Sequence, residues 1–485
     1  MLSILVGHSY FLRFDQKQLE RAKPYPPLAT LQVASMLRRA GHDVALFDAM
    51  LADGVRDFQR QFQEVKPRLV LLYEDNFNFL SKMCLGKMRC AAREMIAIAH
   101  GAGARVIAAG ADASDAPEPY LLAGADVVLL GEGLSALEGL LTRLDSCPDA
   151  PAGALADGLR GVAFLIEGRV KTVSGAKTLP VSHPGELPAW DLVDIERYRD
   201  TWLKAHRYFS LNMAASRGCS FRCAWCAKPI WGNQYLQRKP AAVAIEMAYL
   251  KRAFRADHIW FADDIFGFRV DWVNEFAHAL REDGGAIPFT IQTRADLVSE
   301  RMAVALRQAG CQEAWIGAES GSQRVLDAMN KGTKVAEITA ARALLKAVGI
   351  RVGFFIQLGY LDEQLPDILA TRELLETALP DDVGVSVSYP LPGTKFYELV
   401  SMQLGNKTHW RDSADLAMMF HGTYTSEFYR AIRGLLHDRV SLETLNAPGH
   451  AGKYRRGRRM LERRWQSLVS SERQYRNAGG QAAAS

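Results

Sequence analysis

The chain has 485 residues, 48% of them hydrophobic, with 59 Lys and Arg against 54 Asp and Glu. This length exceeds a typical single domain, and the apolar content is enough for two or three cores. No run of about 18 apolar residues occurs and the first residues lack a charged, apolar, small-residue pattern, so neither a membrane-spanning helix nor a secretory signal is expected and the location read from the sequence is cytoplasmic.

From Met1 to about residue 145 short apolar runs alternate with helical stretches. Leu2 to Val6, Asp43 to Phe47, Arg68 to Tyr73, Arg105 to Gly110 and Asp126 to Leu130 read as strands. The intervening Pro27 to Arg39, Val55 to Val65, Gly86 to His100, Pro117 to Leu122 and Leu134 to Leu144 read as helices. This rhythm predicts an α/β fold with a doubly wound, Rossmann-like parallel sheet, whose ligands bind beyond the carboxyl ends of the strands. No GxGxxG follows the first strand, which argues against a nicotinamide or flavin site. Residues 146–205 loosen into Pro, Gly and Ala punctuation and read as a linker with one small hairpin.

The βα rhythm resumes over residues 206–400, with strands expected at Tyr208 to Ala214, His258 to Ala262, Pro288 to Gln292, Glu313 to Gly317, Arg351 to Leu358 and Val383 to Ser388. Six units are too few to close an eight-stranded barrel, so a partial (βα)6 barrel of TIM type is expected, with its chemistry at the C-terminal strand ends. Residues 401–485 read as a helical segment that includes Leu416 to Phe420, Phe428 to His437 and a basic tail. In that tail Lys453, Arg455, Arg456, Arg458, Arg459, Arg463 and Arg464, less Glu462, supply +6, whereas the whole chain carries only +5. A solvated helix or frayed tail accounts for it; contact with nucleic acid or an acidic membrane surface is the alternative.

Just past the first barrel strand stand Cys219, Cys223 and Cys226, in the spacing CxxxCxxC. Thiolates suit zinc or iron-sulfur clusters, but a closed structural zinc site needs four ligands and no further CxxC or HxxxH follows at finger-like spacing. Three cysteines on a four-iron cluster leave one iron open to a small molecule. The other cysteines, Cys84, Cys90, Cys147 and Cys311, are scattered without a disulfide pattern.

This triplet at a strand end of a partial βα barrel resembles the radical S-adenosylmethionine superfamily. Further strand ends extend the resemblance: Trp260 to Phe266 is similar to an FxDDxF variant, Thr293 to Asp296 to a TRAD segment, Gly317 to Gly321 to GxESG, and Pro390 to Thr394 to a PLPGT turn. The resemblance implies a [4Fe-4S] cluster on Cys219, Cys223 and Cys226, with S-adenosylmethionine chelating the fourth iron. Asp263 or Asp264 would accept from the methionine amine, Arg294 would meet its carboxylate beside Gln292, and Glu319 would approach the ribose hydroxyls. Trp225 either shields the cluster and adenine or packs in the core. The fifth strand departs from the family's GLPGE with Gln357 to Glu363, which leaves adenine contacts there unassigned.

Ahead of the barrel, Pro26 to Leu31, Phe47 to Ala49 and Gly131 to Gly133 together resemble the cobalamin-binding domain of one branch of this superfamily. The DxHxxG loop that supplies a cobalt-binding histidine is missing, the chain reading Gly7 to Tyr10 there. His8 is therefore expected near substrate or cobalamin and not on cobalt. Thr30, Asp75, Asn76, Gly110 and Glu132 are the other cobalamin contacts implied. The branch implies cleavage of S-adenosylmethionine to a 5'-deoxyadenosyl radical, followed by methylation of an unactivated carbon of a small-molecule substrate. An external electron donor of flavodoxin or ferredoxin type is implied, and neither a nucleic-acid partner nor a membrane span. Two other readings stay open: a cyclase or oxygen-inserting enzyme resembling the anaerobic magnesium-protoporphyrin monomethyl ester cyclase, suggested by His409 to Ser413, and a non-catalytic cobalamin or cluster sensor.

Overall fold

The computed structural model describes residues 1–78, 86–175, 187–226, 234–405, 417–443 and 451–477. The first sheet is built from β1 (Ser3–Gly7), β2 (Asp43–Phe47), β3 (Leu69–Tyr73), β4 (Arg105–Ala109), β5 (Val127–Leu129), β6 (Val162–Ile166) and β7 (Arg169–Val173), in the order β2-β1-β3-β4-β5-β6-β7. The first five are mutually parallel. Every residue of β3 is buried, as a central strand with both faces covered requires. The covering helices include α1 (Leu28–Arg39), α2 (Val55–Val65), α3 (Gly86–Gly101) and α4 (Leu134–Ser146). Because β2 and β3 lie on opposite sides of β1, the direction of winding reverses between β1 and β3. A crevice therefore opens at their carboxyl ends.

Residues 146–205 are more than a linker. Their hairpin, β6 with β7, pairs antiparallel onto β5, extending the parallel sheet expected up to residue 145 by two strands. The reason is hydrophobic: Val162, Ala163 and Phe164 are buried against the sheet, while β7 turns Arg169, Lys171 and Thr172 outward and closes a polar edge. Residues 176–186 of this stretch lie outside the described residues. The stretch ends in α5 (Ile195–His206), whose Tyr198 and Trp202 are buried.

The second sheet is the partial barrel: β8 (Ser210–Met213), β11 (His258–Phe261), β12 (Phe289–Thr293), β13 (Cys311–Glu319), β14 (Arg351–Leu358) and β15 (Asp382–Val387) run parallel in chain order across it. Between β8 and β11 a two-stranded antiparallel ribbon, β9 (Ser216–Gly218) with β10 (Tyr235–Gln237), stands at the carboxyl end and carries the cysteine loop. Helices α6 (Pro240–Phe254), α7 (Val270–Asp283), α8 (Glu300–Ala309), α9 (Val335–Ala347) and α10 (Leu365–Ala378) connect the strands. Their ends follow local chemistry: Ser299 caps α8 by accepting from Met302 N, and Gly310 leaves it at φ 98°.

After β15 come α11 (Lys395–Leu404), α12 (Ser426–Glu443) and α13 (Ala451–Ser470). The helical expectation for Leu416 to Phe420 is corrected over its described residues: Ala417 to Phe420 are not helical. Met418, Met419 and Phe420 join a separate apolar cluster with Val325, Met329, Tyr360, Phe396, Val400 and Leu404, so tertiary burial there overrides the apolar pattern. His409 to Ser413 lie outside the described residues. The basic tail is neither frayed nor loose over α13: Leu461, Trp465 and Leu468 bury one stripe of the helix and its arginines lie on the other side.

Candidate functional site

Cys219 follows directly on β9 and is buried, while Cys223 and Cys226 are half-buried. Backbone bonds hold the loop between them. Ala224 N donates to Met329 O at 2.8 Å, Phe396 N donates to Ala224 O at 2.9 Å, and Asn330 Nδ2 donates to Arg222 O at 2.8 Å. Three thiols thus sit on a loop fastened to the start of α11 and to the turn that ends the short helix Gln323–Ala328. Among the described residues no three His, Cys, Asp or Glu side chains converge on a single metal ion. A cluster makes a different demand, one thiolate on each of three irons.

The two residues expected nearest to methionine have partners of their own. The Asp263 carboxylate accepts from Ala215 N at 3.0 Å on one oxygen and from the Ser216 hydroxyl on the other, and burial pushes its pKa up to about 7. It fixes the start of the cysteine ribbon, with both oxygens committed. Asp264, next in the chain, is half-buried. Arg294 lays its fork on Asp296, Nε to Oδ1 at 2.9 Å and Nη2 to Oδ2 at 3.0 Å, and donates through Nη2 to Lys331 O at 2.7 Å and to Thr333 Oγ1 at 3.0 Å. Its Nη1 lies 3.6 Å from Cys223 Sγ and its guanidinium stacks 3.7 Å over the Phe221 ring. Arg294 therefore faces the cysteine loop, and the bidentate face expected for a carboxylate ligand is occupied by Asp296. Gln292 is half-buried and its carbonyl accepts from Phe266 N at 2.8 Å, tying the second strand's loop to the third strand.

Glu319 ends β13 in the left-handed region at φ 60°, beside a register shift between β13 and β14. Its Oε1 accepts from Lys331 Nζ at 2.8 Å, both side chains being buried. Gly317 makes room for the pair, since a Cβ there would stand 2.6 Å from Glu319 Oε1 and 2.7 Å from Lys331 Nζ. Trp225 packs against the Val325, Met329, Tyr360 and Phe396 cluster, which favours its packing role, yet its indole nitrogen is buried without a partner among the described residues. Lys331 and Glu363 escape sequence reasoning. Glu363 accepts from Gly359 N at 2.6 Å on one oxygen, the other has no partner among the described residues, and burial pushes its pKa up to about 8. A carboxylate five residues past a strand end is the only sequence signal, and it is unspecific.

At the crevice of the first sheet the expected contacts divide. Thr30 donates to Tyr73 O at 2.7 Å, and Asp75 accepts from Ala29 N at 3.0 Å and Phe77 N at 3.2 Å, so Thr30 ties α1 to the end of β3 and Asp75 ties the loop after β3 to the start of α1. Gly110, at φ 147°, lets Glu74 pack where a Cβ would clash at 2.7 Å. Glu74 in turn accepts from Ser9 N at 2.9 Å, and burial raises its pKa and that of Asp75. His8 is buried. Its Nε2 lies 3.1 Å from Asp48 Oδ1 and also 3.1 Å from Ala49 N, and the other Asp48 oxygen accepts from Tyr198 at 2.7 Å. Burial opposes charge on the ring, but the Asp48, Glu74 and Asp75 carboxylates outweigh it and raise its pKa. His8 Nδ1 and both amide atoms of Asn76 are buried without a partner among the described residues. These orphaned atoms stand at the ends of β1 and β3, where a polar ligand would satisfy them.

Glu132, the last of the expected cobalamin contacts, reaches the barrel. Both its oxygens accept from Arg217 Nη1 at 2.9 Å, a contact buried on both sides.

The fold thus joins an open, mostly parallel sheet to a partial barrel and places a three-cysteine loop at the barrel's carboxyl end. Residues 213–375 match the Radical SAM superfamily model and residues 19–141 the B12 binding domain model. The chain thus joins a B12 binding domain to a radical S-adenosylmethionine domain, and the cofactors these domains imply are a [4Fe-4S] cluster, S-adenosylmethionine and cobalamin. It is 24% identical to the uncharacterized methyltransferase PH0819 of Pyrococcus horikoshii, over 80% of this chain and 81% of the relative. It is 25% identical to hopanoid C-3 methylase of Methylococcus capsulatus, over 79% and 70% of the two chains. Among solved structures, the cobalamin-dependent S-adenosylmethionine radical enzyme OxsB, with aqua-cobalamin and S-adenosylmethionine bound, superposes with a TM-score of 0.67 at 18% identity, covering 97% of this chain and 72% of that one. That likeness is one of fold. No helix among the described residues is long and apolar enough to cross a membrane.

Proposed function

We propose that this enzyme methylates an unactivated carbon of a small-molecule substrate. The observation that carries the reading is the juxtaposition of two strand-end sites across one seam: the cysteine ribbon on one side, and the β1 and β3 ends with their orphaned His8 and Asn76 atoms on the other, bridged by Arg217 and Glu132. When bound, the cluster supplies the electron that cleaves S-adenosylmethionine to a radical, and cobalamin supplies the methyl group.

The chain's own residues then bind, orient and exclude. Cys219, Cys223 and Cys226 hold the cluster, and Arg294 keeps a positive charge beside Cys223 while its own geometry is fixed by Asp296 and Thr333. Asp263 serves at one remove, fixing Ala215 and Ser216 at the foot of the ribbon. Glu319, oriented by Lys331, accepts from the ribose hydroxyls. The Trp225 N–H is the donor left for adenine or substrate. The Tyr360, Phe396, Met419 and Phe420 cluster keeps water away from that side of the loop. His8 Nδ1 and the Asn76 amide meet cobalamin at the sheet crevice, while Thr30, Asp75 and Gly110 shape the crevice through their neighbours.

The test supplies reconstituted enzyme with S-adenosylmethionine labelled in its methyl group, reductant, cobalamin and a metabolite extract from cells lacking the gene. Label in a new product, with S-adenosylhomocysteine and 5'-deoxyadenosine both formed, is the expected result. 5'-Deoxyadenosine and labelled methionine as the only products from S-adenosylmethionine remove the methyltransferase reading and leave the cyclase.

A further inference from the structure

Arg217 belongs to β9, two residues before Cys219, yet its side chain lies among residues of the first sheet and its helices. Nη1 donates to both oxygens of Glu132, Nη2 donates to Gln32 Oε1 on α1, and the guanidinium stacks 5.3 Å from the centre of the Phe77 ring. Phe77 directly follows Asn76, whose amide is the unpartnered group at the crevice. Glu132 stands in the turn after β5, and its carbonyl accepts from the Tyr73 hydroxyl at 2.9 Å at the end of β3. One buried cation thus gathers the loop after β3, the turn after β5 and α1, the elements that border the proposed cobalamin crevice.

Among the described residues, the hydrogen bonds between the first half and β8 are neutral: Tyr25 with Ser210 at 3.1 Å, and Asn212 with Pro26 O at 3.0 Å. They join the halves without touching the cysteine ribbon. The charged contact alone among these lies on the ribbon, where β9 pairs with β10 through Leu236 opposite Arg217 and leads at once into Cys219. A buried ion pair is costly to leave half-made, so a displacement of Glu132 or Phe77 is transmitted to Arg217 and not absorbed by solvent.

Resting on the reading that both cofactors bind here, we infer that Arg217 is a positioning residue that couples occupancy of the cobalamin site to occupancy of the cluster site. Cobalamin, by ordering the ends of β3 and β5, fixes the guanidinium and with it the strand that presents Cys219. The cluster, by fixing the cysteine loop, orders Arg217 and through it the crevice. Such coupling is reciprocal, so each cofactor tightens the other's binding by the same factor.

The experiment titrates hydroxocobalamin into full-length protein before and after anaerobic cluster reconstitution and takes the ratio of the two dissociation constants. For the native chain the ratio is expected to be at least about fivefold, the lower end of ordinary coupling between sites. Arg217→Met and Glu132→Gln are each expected to bring it to one, with Arg217→Lys between. A purely structural contact would lower cobalamin affinity in both states alike and leave the ratio unchanged. A native ratio of one, or an unchanged ratio in Glu132→Gln, overturns the coupling. Should Arg217→Met fail to fold, Glu132→Gln and Arg217→Lys decide. Failure of the native chain to bind cobalamin in either state overturns the underlying cofactor reading instead, so the two failures are told apart.

Discussion

Glu319 holds a backbone conformation that few residues other than glycine adopt, at φ 60°, and it does so with its carboxylate on a buried lysine. Strain of this kind persists where the surroundings over-determine it and gathers at functional sites. Removing one partner leaves a buried charge alone, so Lys331→Met is expected to cost about 3–5 kcal/mol of stability. Chemical denaturation checks it, and a loss below about 1 kcal/mol would show the pair to be solvated, as surface pairs are. Gly317→Ala places a methyl within 2.7 Å of both partners and is expected to destabilise by about 1–3 kcal/mol through overpacking. Glu363 carries the clearest pH dependence. Its folded pKa of about 8 exceeds its ordinary 4.5, so between these values the unfolded chain gives up a proton that the folded chain keeps. Its contribution is complete below pH 4.5 and is lost as pH rises to 8. The fall in melting temperature from pH 5 to pH 8 is therefore expected to be smaller in Glu363→Gln than in the native chain; equal falls would show that Glu363 ionises freely in the fold.

At the scale of elements, the cysteine ribbon and the helical pair α12 and α13 behave differently. The ribbon is short and depends on the bonds of Ala224 to Met329 and Phe396, so its geometry answers to α11 and to the turn that ends the helix Gln323–Ala328. The pair is fixed by a stripe. Trp465 is 1% exposed, with the Arg372 guanidinium 5.0 Å from its ring centre, and Arg372 also takes Glu462. Trp465→Ala is expected to cost about 3–5 kcal/mol, as large-to-small core changes do, while cluster absorbance after reconstitution stays native. Loss of the cluster in that variant would show α13 to support the barrel's carboxyl end. Helix and strand positions were legible in the sequence because periodicity reports burial directly: Asp43 to Phe47, Val55 to Val65 and Arg351 to Leu358 stand where the pattern puts them. The edge hairpin was legible as a hairpin, but nothing local to Val162 to Val173 says which sheet it joins. Ala417 to Phe420 misled because an apolar run reads alike whether it coils or packs as a loop.

For the whole molecule, the prediction that matters most is that Cys223→Ala abolishes the cluster's visible absorbance and the cleavage of S-adenosylmethionine together, while cobalamin still binds. Retained cleavage would remove the cluster assignment. A cellular function that survives the substitution would favour the sensor. The sequence by itself determined the two cofactor-binding halves, their order and the three thiols, because strand rhythm and ligand spacing are local properties of the chain. Tertiary structure alone decided which neighbours the other expected ligands have within the chain. Asp263 and Arg294 have the right chemistry for methionine, but the fold surrounds them with Ala215, Ser216 and Asp296, partners that sequence distance does not reveal. Likewise Arg217 and Glu132, 85 residues apart, meet only because the barrel is packed against the sheet. A side chain's charge is written in the sequence, but what neutralises it is settled by which strand ends the fold brings together.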